Sequence, residues 1–238
     1  MIRTGTDSPG GAEAVVLVHG LWVSGFSMAL MQRRIARCGY RVLRFSYPSM
    51  RCTLTENSER LSAYCGAIEC DVLHLVGHSL GGLVALHAAA RERIPKLGRI
   101  VVAGTPFGKS FSAQRLARLP GGRAMLGKCA CEWLRYGQWP DLGAREIGVI
   151  AGDLSFGLGR VLAPNLPAPN DGVVQTDETP VPGMRDHIVM HVSHTAMLLA
   201  PSVVREVCAF LKNGRFTARD AAVPDMQRSD PCTTNPKS

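Results

Sequence analysis

The stretch Val72-Leu73-His74-Leu75-Val76-Gly77-His78-Ser79-Leu80-Gly81-Gly82 decides how this chain of 238 residues is read. Val72 to Val76 is a short apolar run of the kind that forms a buried strand, and a helix is expected from about Leu80 to Arg93. Between them stands Gly77-His78-Ser79-Leu80-Gly81, a Gly-x-Ser-x-Gly segment. A turn this tight forces strained backbone angles on the serine, and glycines two positions to either side leave room for it. Such a turn lifts the Ser79 hydroxyl to the mouth of a sheet, beside the positive end of the following helix. Strand before, helix after and the extra Gly82 separate the motif from a chance match and from a plain turn with a capping serine.

Working outward, Ala14 to Val18 reads as a first strand, apolar on both faces and ended by His19-Gly20. A helix is expected over Ser24 to Cys38, with Phe26, Leu30 and Ile35 as its apolar stripe and Gly39 as its stop. Arg41 to Phe45 is a second strand, and Thr53-x-x-Glu56 has the form of a capping box opening a helix to about Cys65. Further strands are expected at 99–103, 147–151 and 187–192, with a closing helix at 202–211. Strands alternating with helices predict an α/β fold with a mostly parallel sheet and helices on both faces. The predicted division is a flexible N-terminus at 1–13, one domain at 14–214 and a disordered, polar tail at 215–238. Residues 108–141 are too long for one crossover and should form a small cap of two helical pieces, 112–119 and 123–136. Another long loop runs from Gly152 to Asp171. Both follow the C-terminal ends of strands, where open α/β sheets bind ligands.

A serine hydroxyl is a poor nucleophile at neutral pH and needs a base, which in turn needs an orienting acid. In chain order after Ser79 these are Asp171, in Asn170-Asp171-Gly172-Val173-Val174, and His194, in Ser193-His194-Thr195. Asp153 and Asp177 compete with Asp171 for the acid. A tetrahedral oxyanion would take the backbone N–H of Leu80 and a second N–H from the loop after the first strand, assigned to Leu21. His187, His191 and His194 lie on strand rather than helical spacing, so a metal site is not expected, nor is any cofactor.

Composition sets the outer limits. Hydrophobic residues make up 46% and charged residues 19%, which suits a globular domain and excludes a disordered chain or a coiled coil. The net charge of +8 favours anionic partners, but aromatics are only 6%, and no Lys/Arg run reaches five, so no nucleic-acid partner is expected. No apolar run is long enough to span a membrane, and the first residues lack the apolar core of a signal peptide. A cytoplasmic location and eight reduced cysteines are therefore expected.

Together, Val16 to Leu21, Gly77 to Gly82, Gly104-Thr105-Pro106, Asn170 to Val174 and Val192-Ser193-His194 resemble the α/β-hydrolase superfamily, among its compact bacterial lipase- and esterase-like members. That resemblance spans residues 14 to about 212. It implies hydrolysis of carboxylic esters by a Ser-Asp-His triad without a metal, and it favours Asp171, because the acid of such lipases commonly opens an Asp-Gly-x-Val segment. An acyltransferase or thioesterase would use the same residues, and a ligand-binding protein could keep the fold. The substrate is expected to be a small-molecule or lipid ester. Between Lys109 and Arg135 the cap carries six basic residues, Lys109, Arg115, Arg118, Arg123, Lys128 and Arg135, against Glu132, which suits peripheral contact with anionic lipid.

Overall fold

Strand β1 (Glu13–Val18) shows how the core is divided. Successive side chains of a strand point to opposite faces. Accordingly Ala14, Val16 and Val18 enter one hydrophobic cluster, while Val15 and Leu17 enter a second. Around β1 the strands β2 (Arg41–Phe45), β3 (Val72–His78), β4 (Leu97–Ala103), β5 (Ile147–Gly152) and β6 (Asp186–Met190) form one sheet in the order β2-β1-β3-β4-β5-β6. All five pairings are parallel. The computed structural model describes residues 13–91, 94–135, 141–157 and 165–217. Most of the expected flexible N-terminus and of the polar tail lies outside the described residues.

Helices α2 (Leu54–Gly66) and α3 (Leu80–Arg91) cover one face of the sheet, and α1 (Ala29–Ala36) and α6 (Pro201–Asn213) cover the other. The expected capping box is present. Thr53 Oγ1 accepts the Glu56 amide at 3.1 Å, and the Glu56 carboxylate accepts the Thr53 amide at 2.8 Å. Two short helices, α4 (Phe111–Arg118) and α5 (Gly122–Trp133), form the insert after β4, with α5 bending at Gly127. The Lys128 amide donates to the Met50 carbonyl at 2.9 Å, and the Glu132 carboxylate accepts the Thr55 amide and hydroxyl, each at 2.9 Å. The insert is thereby fastened to the loop before α2 and to its first turn. Among the described residues no helix is long and apolar enough to cross a membrane.

Two expectations fail. The helix expected over 24–38 opens as a 3₁₀ turn at Gly25–Met28 before α1 begins. With three residues per turn instead of 3.6, the facing side chains change phase. Met28, Met31 and Ile35 are therefore buried, and Phe26 and Leu30 point outward. The thiols are not all reduced, because Cys38, just after α1, is bonded to Cys208 of α6. These helices pack side by side against the sheet and bring the two Cα atoms to 6.6 Å across a separation of 170 residues. Cys52, Cys65, Cys70, Cys129 and Cys131 are free.

Candidate active site

The strand order reverses between β1 and β3, and in an open α/β sheet the crevice beyond the strand ends at that point receives the ligand. Ser79 follows β3 there, and Leu21 follows β1. Ser79 has φ +54°, a left-handed conformation that non-glycine residues adopt at a cost. Its amide donates to the Ala103 carbonyl at 2.9 Å. Its carbonyl accepts from the Gly82 amide at 2.9 Å and from Thr105 Oγ1 at 3.0 Å. The motif glycines are needed for close approach. A Cβ on Gly81 would stand 2.2 Å from the Val18 carbonyl oxygen, and one on Gly82 would stand 2.0 Å from Thr105 Oγ1.

Asp171 leaves the loop between β5 and β6, and His194 follows β6. The structure brings them together. His194 Nδ1 is 2.7 Å from Asp171 Oδ2, and the His194 amide donates to the Asp171 carbonyl at 2.9 Å. Asp171 is buried, and its second oxygen, Oδ1, accepts the amides of Val173 at 2.9 Å and Val174 at 2.8 Å. A carboxylate accepts only, so Nδ1 carries the proton of neutral His194 and Nε2 is left as the acceptor. The rival acids lie elsewhere. Asp153 pairs at 2.9 Å with His191 in an exposed contact, and Asp177 is exposed on a 3₁₀ turn at Thr176–Glu178. His187 meets Thr179 Oγ1 at 3.0 Å, so the three histidines considered as metal ligands turn to three different partners.

His78 is a residue that sequence reasoning passed over, since it fills only a variable position of the motif. Its Nε2–H donates to the His194 carbonyl at 2.9 Å, and the two rings lie 4.7 Å apart. Burial holds its pKa down at about 3, so it stays a neutral donor at physiological pH. His19 fixes the other wall. Its Nδ1–H donates to the Gly20 carbonyl at 2.8 Å, and its Nε2 accepts the Tyr47 amide at 3.2 Å. Tyr47 Oη donates to the His19 carbonyl at 2.8 Å, pinning the loop that presents Leu21.

Leu21, Ser79, Leu80 and His194 all line one cavity of about 360 Å³, within the usual range for small-molecule sites. Its roof comes from α4 and α5 through Leu116, Leu126, Ala130 and Trp133. The roof is tied down at both ends. The Phe111 amide donates to Glu178 at 2.6 Å, Ser112 Oγ donates to the Val173 carbonyl at 2.5 Å, and Trp22 Nε1 donates to the Met125 carbonyl at 2.7 Å. Burial raises the Glu178 carboxyl above its ordinary pKa, against the pull of the amides it accepts.

No curated protein matches the chain. Among solved structures it is similar to a lipase of Bacillus licheniformis in mature form, with TM-score 0.69 and 17% identity over 90% of this chain and 96% of that one. It is also similar to a metagenomic carboxyl esterase, with TM-score 0.62 and 19% identity over 89% and 78% of the two chains. A third likeness is to a monoacylglycerol lipase of Paleococcus ferrophilus, with TM-score 0.60 and 16% identity over 84% and 94%. At these identities the likeness shows the fold. The model of the alpha/beta hydrolase family matches residues 15–226, well over half of the chain. With the sheet order and the strained serine turn already in place, this protein belongs to the alpha/beta hydrolase family.

Proposed function

We propose that the protein hydrolyses carboxylic esters through an acyl-serine intermediate. The observation that carries this reading is His194, oriented by the buried Asp171 so that Nε2 is left as acceptor, lining the same largely apolar cavity as the strained Ser79. His194 Nε2 takes the Ser79 hydroxyl proton as Oγ bonds to the ester carbonyl carbon. The Leu21 and Leu80 amides hold the oxyanion that forms. Collapse breaks the bond to the alcohol, which leaves with the proton from Nε2. Water then attacks the acyl-serine, passes its proton to Nε2, and the acid departs as Ser79 regains it. Acyl transfer or thioester cleavage differs only in the acceptor or the leaving group.

The test is turnover of p-nitrophenyl esters from two to sixteen carbons, with a fluorophosphonate to mark the reactive serine. Label on Ser79 with release of acid is expected, and Ser79→Ala should abolish the label and lower turnover at least ~10³-fold. Label on any other residue overturns the reading, and label without turnover moves it to acyl transfer or binding.

We further propose peripheral contact with anionic lipid. Arg118, Arg123 and Arg135 line an outward hollow of about 260 Å³ between α4 and α5, beside the exposed Leu119 and Met125. Among the described residues none of the three has an ion-pair partner, and Glu132, the insert's acid, is engaged at Thr55. Each such charge near an anionic surface is worth about 1 kcal/mol. Flotation with anionic vesicles, weakening as salt rises, is the expected result, and equal flotation with neutral vesicles refutes the charge argument.

A further inference from the structure

Trp22, the residue after Leu21, is held in a backbone conformation that burial does not explain. Its φ is +62°, and among the described residues only Ser79 and Lys96 share a positive φ without being glycine. Ser79 stands in the tight turn of its motif, and Lys96 in the turn before β4. A bulky residue in the left-handed region is an outlier that persists only where its surroundings fix it. Packing is not the cause, since Trp22 lines the cavity at its mouth and is 51% exposed. What holds the residue is its indole, whose Nε1–H donates to the Met125 carbonyl of α5 at 2.7 Å, across 103 residues of chain. The loop that carries Trp22 is fastened at both ends to the segment after β2. The His19 carbonyl accepts Tyr47 Oη at 2.8 Å, and the Gly25 amide donates to Ser46 Oγ at 2.8 Å. Among the described residues, the indole bond is what ties the middle of this loop to another element. The same loop runs against the nucleophile, where a Cβ on Gly20 would stand 3.2 Å from Ser79 Cβ.

Resting on the ester-hydrolase reading and its oxyanion donors, we propose that Trp22 is a positioning residue: its bond to the roof holds the loop so that the Leu21 amide aims at the oxyanion. The roof then does more than cover the substrate, because α5 sets the oxyanion loop through Met125. Donors aimed in advance stabilise the charge that develops in the transition state and do little for the uncharged ester. Loosening the loop therefore lowers kcat and leaves KM nearly alone. A residue that merely lined the cavity would change KM instead.

The experiment compares the wild-type chain with Trp22→Phe, which keeps an aromatic ring and removes the donor. Both are assayed on p-nitrophenyl butyrate and on its thiono analogue, in which C=S replaces the carbonyl. Sulfur is a weak acceptor, so the thionoester gains little from the two amides. The oxygen-to-sulfur ratio of kcat/KM thus reads the oxyanion donors themselves. Trp22→Phe should lower kcat on the oxygen ester about tenfold, short of the roughly 10²–10³ that outright loss of one donor costs, with KM within about twofold. The oxygen-to-sulfur ratio should fall by a similar factor. Because that ratio is taken within one protein, any loss of folded enzyme cancels. An unchanged kcat overturns the inference, as does a change confined to KM, or a fall in kcat that leaves the ratio at its wild-type value. If the wild-type chain turns over neither ester and Ser79 stays unlabelled by a fluorophosphonate, the ester reading itself falls and takes this one with it.

Discussion

Replacing Asp171 by asparagine tests the site through a single proton. Oδ1 of Asp171 accepts two amides, from Val173 and Val174, and Oδ2 faces His194 Nδ1 at 2.7 Å. Asparagine has one acceptor oxygen and one donor NH₂. Turning the NH₂ toward the two amides would set donors against donors, so the oxygen stays with Val173 and Val174 and the NH₂ faces Nδ1. His194 can then accept at Nδ1 only by carrying its proton on Nε2, the atom that must receive the Ser79 proton. The geometry survives while the tautomer is wrong, and in a comparable triad this costs about 10⁴-fold in kcat. At 1.36 kcal/mol per tenfold, that is about 5.4 kcal/mol of transition-state stabilisation. The assay is kcat on p-nitrophenyl butyrate together with the rate of fluorophosphonate labelling, with thermal melting to establish that the variant is folded. Asp153→Asn is the control, since its partner His191 is a largely exposed side chain, and it should retain most activity. Retention of more than about a tenth of wild-type kcat in Asp171→Asn would refute the reasoning, as would an equal collapse in Asp153→Asn.

Ser79→Gly should abolish turnover yet raise stability by about 1 kcal/mol in urea unfolding, because glycine meets a φ of +54° without the penalty serine bears; unchanged or lower stability would mean the turn is not strained. Cys38→Ser or Cys208→Ser should lower the melting temperature, with up to about 5 kcal/mol at stake from closing so long a loop, and a reductant should reproduce the loss in the wild-type chain alone. Acid should destabilise the fold. Burial holds His78 at about 3 and His87 at about 4, both below the ordinary 6.5, so the unfolded chain binds protons that the folded one refuses. Stability from these two groups is present above about pH 6.5 and falls as pH drops toward 4, by roughly 2.7 kcal/mol per pH unit for both together. His87→Gln should reduce that slope by about half in urea unfolding between pH 4 and 6.5, and an unaltered slope would exclude its contribution.

What could be read from residues alone was local. The turn at Ser79 follows from glycine spacing, and the box at Thr53 and Glu56 from a three-residue offset, because both are satisfied within a few residues of chain. The inner strands were legible for a related reason. A strand buried on both faces must be apolar throughout, and parallel order needs a crossover helix between strands. Tertiary structure shows which acid meets His194. The resemblance favoured Asp171 over its competitors Asp153 and Asp177, and it is the path of the loop between β5 and β6 that turns Asp171 inward and leaves the other two at the surface. It also decided the pairing of Cys38 with Cys208, which lie 170 residues apart. The same holds for the inward face of α1, where one 3₁₀ turn shifted the phase. In each case the deciding contact joins segments distant in sequence. Periodicity and spacing carry information only about neighbours along the chain, so such contacts exist only once the sheet has set those segments side by side.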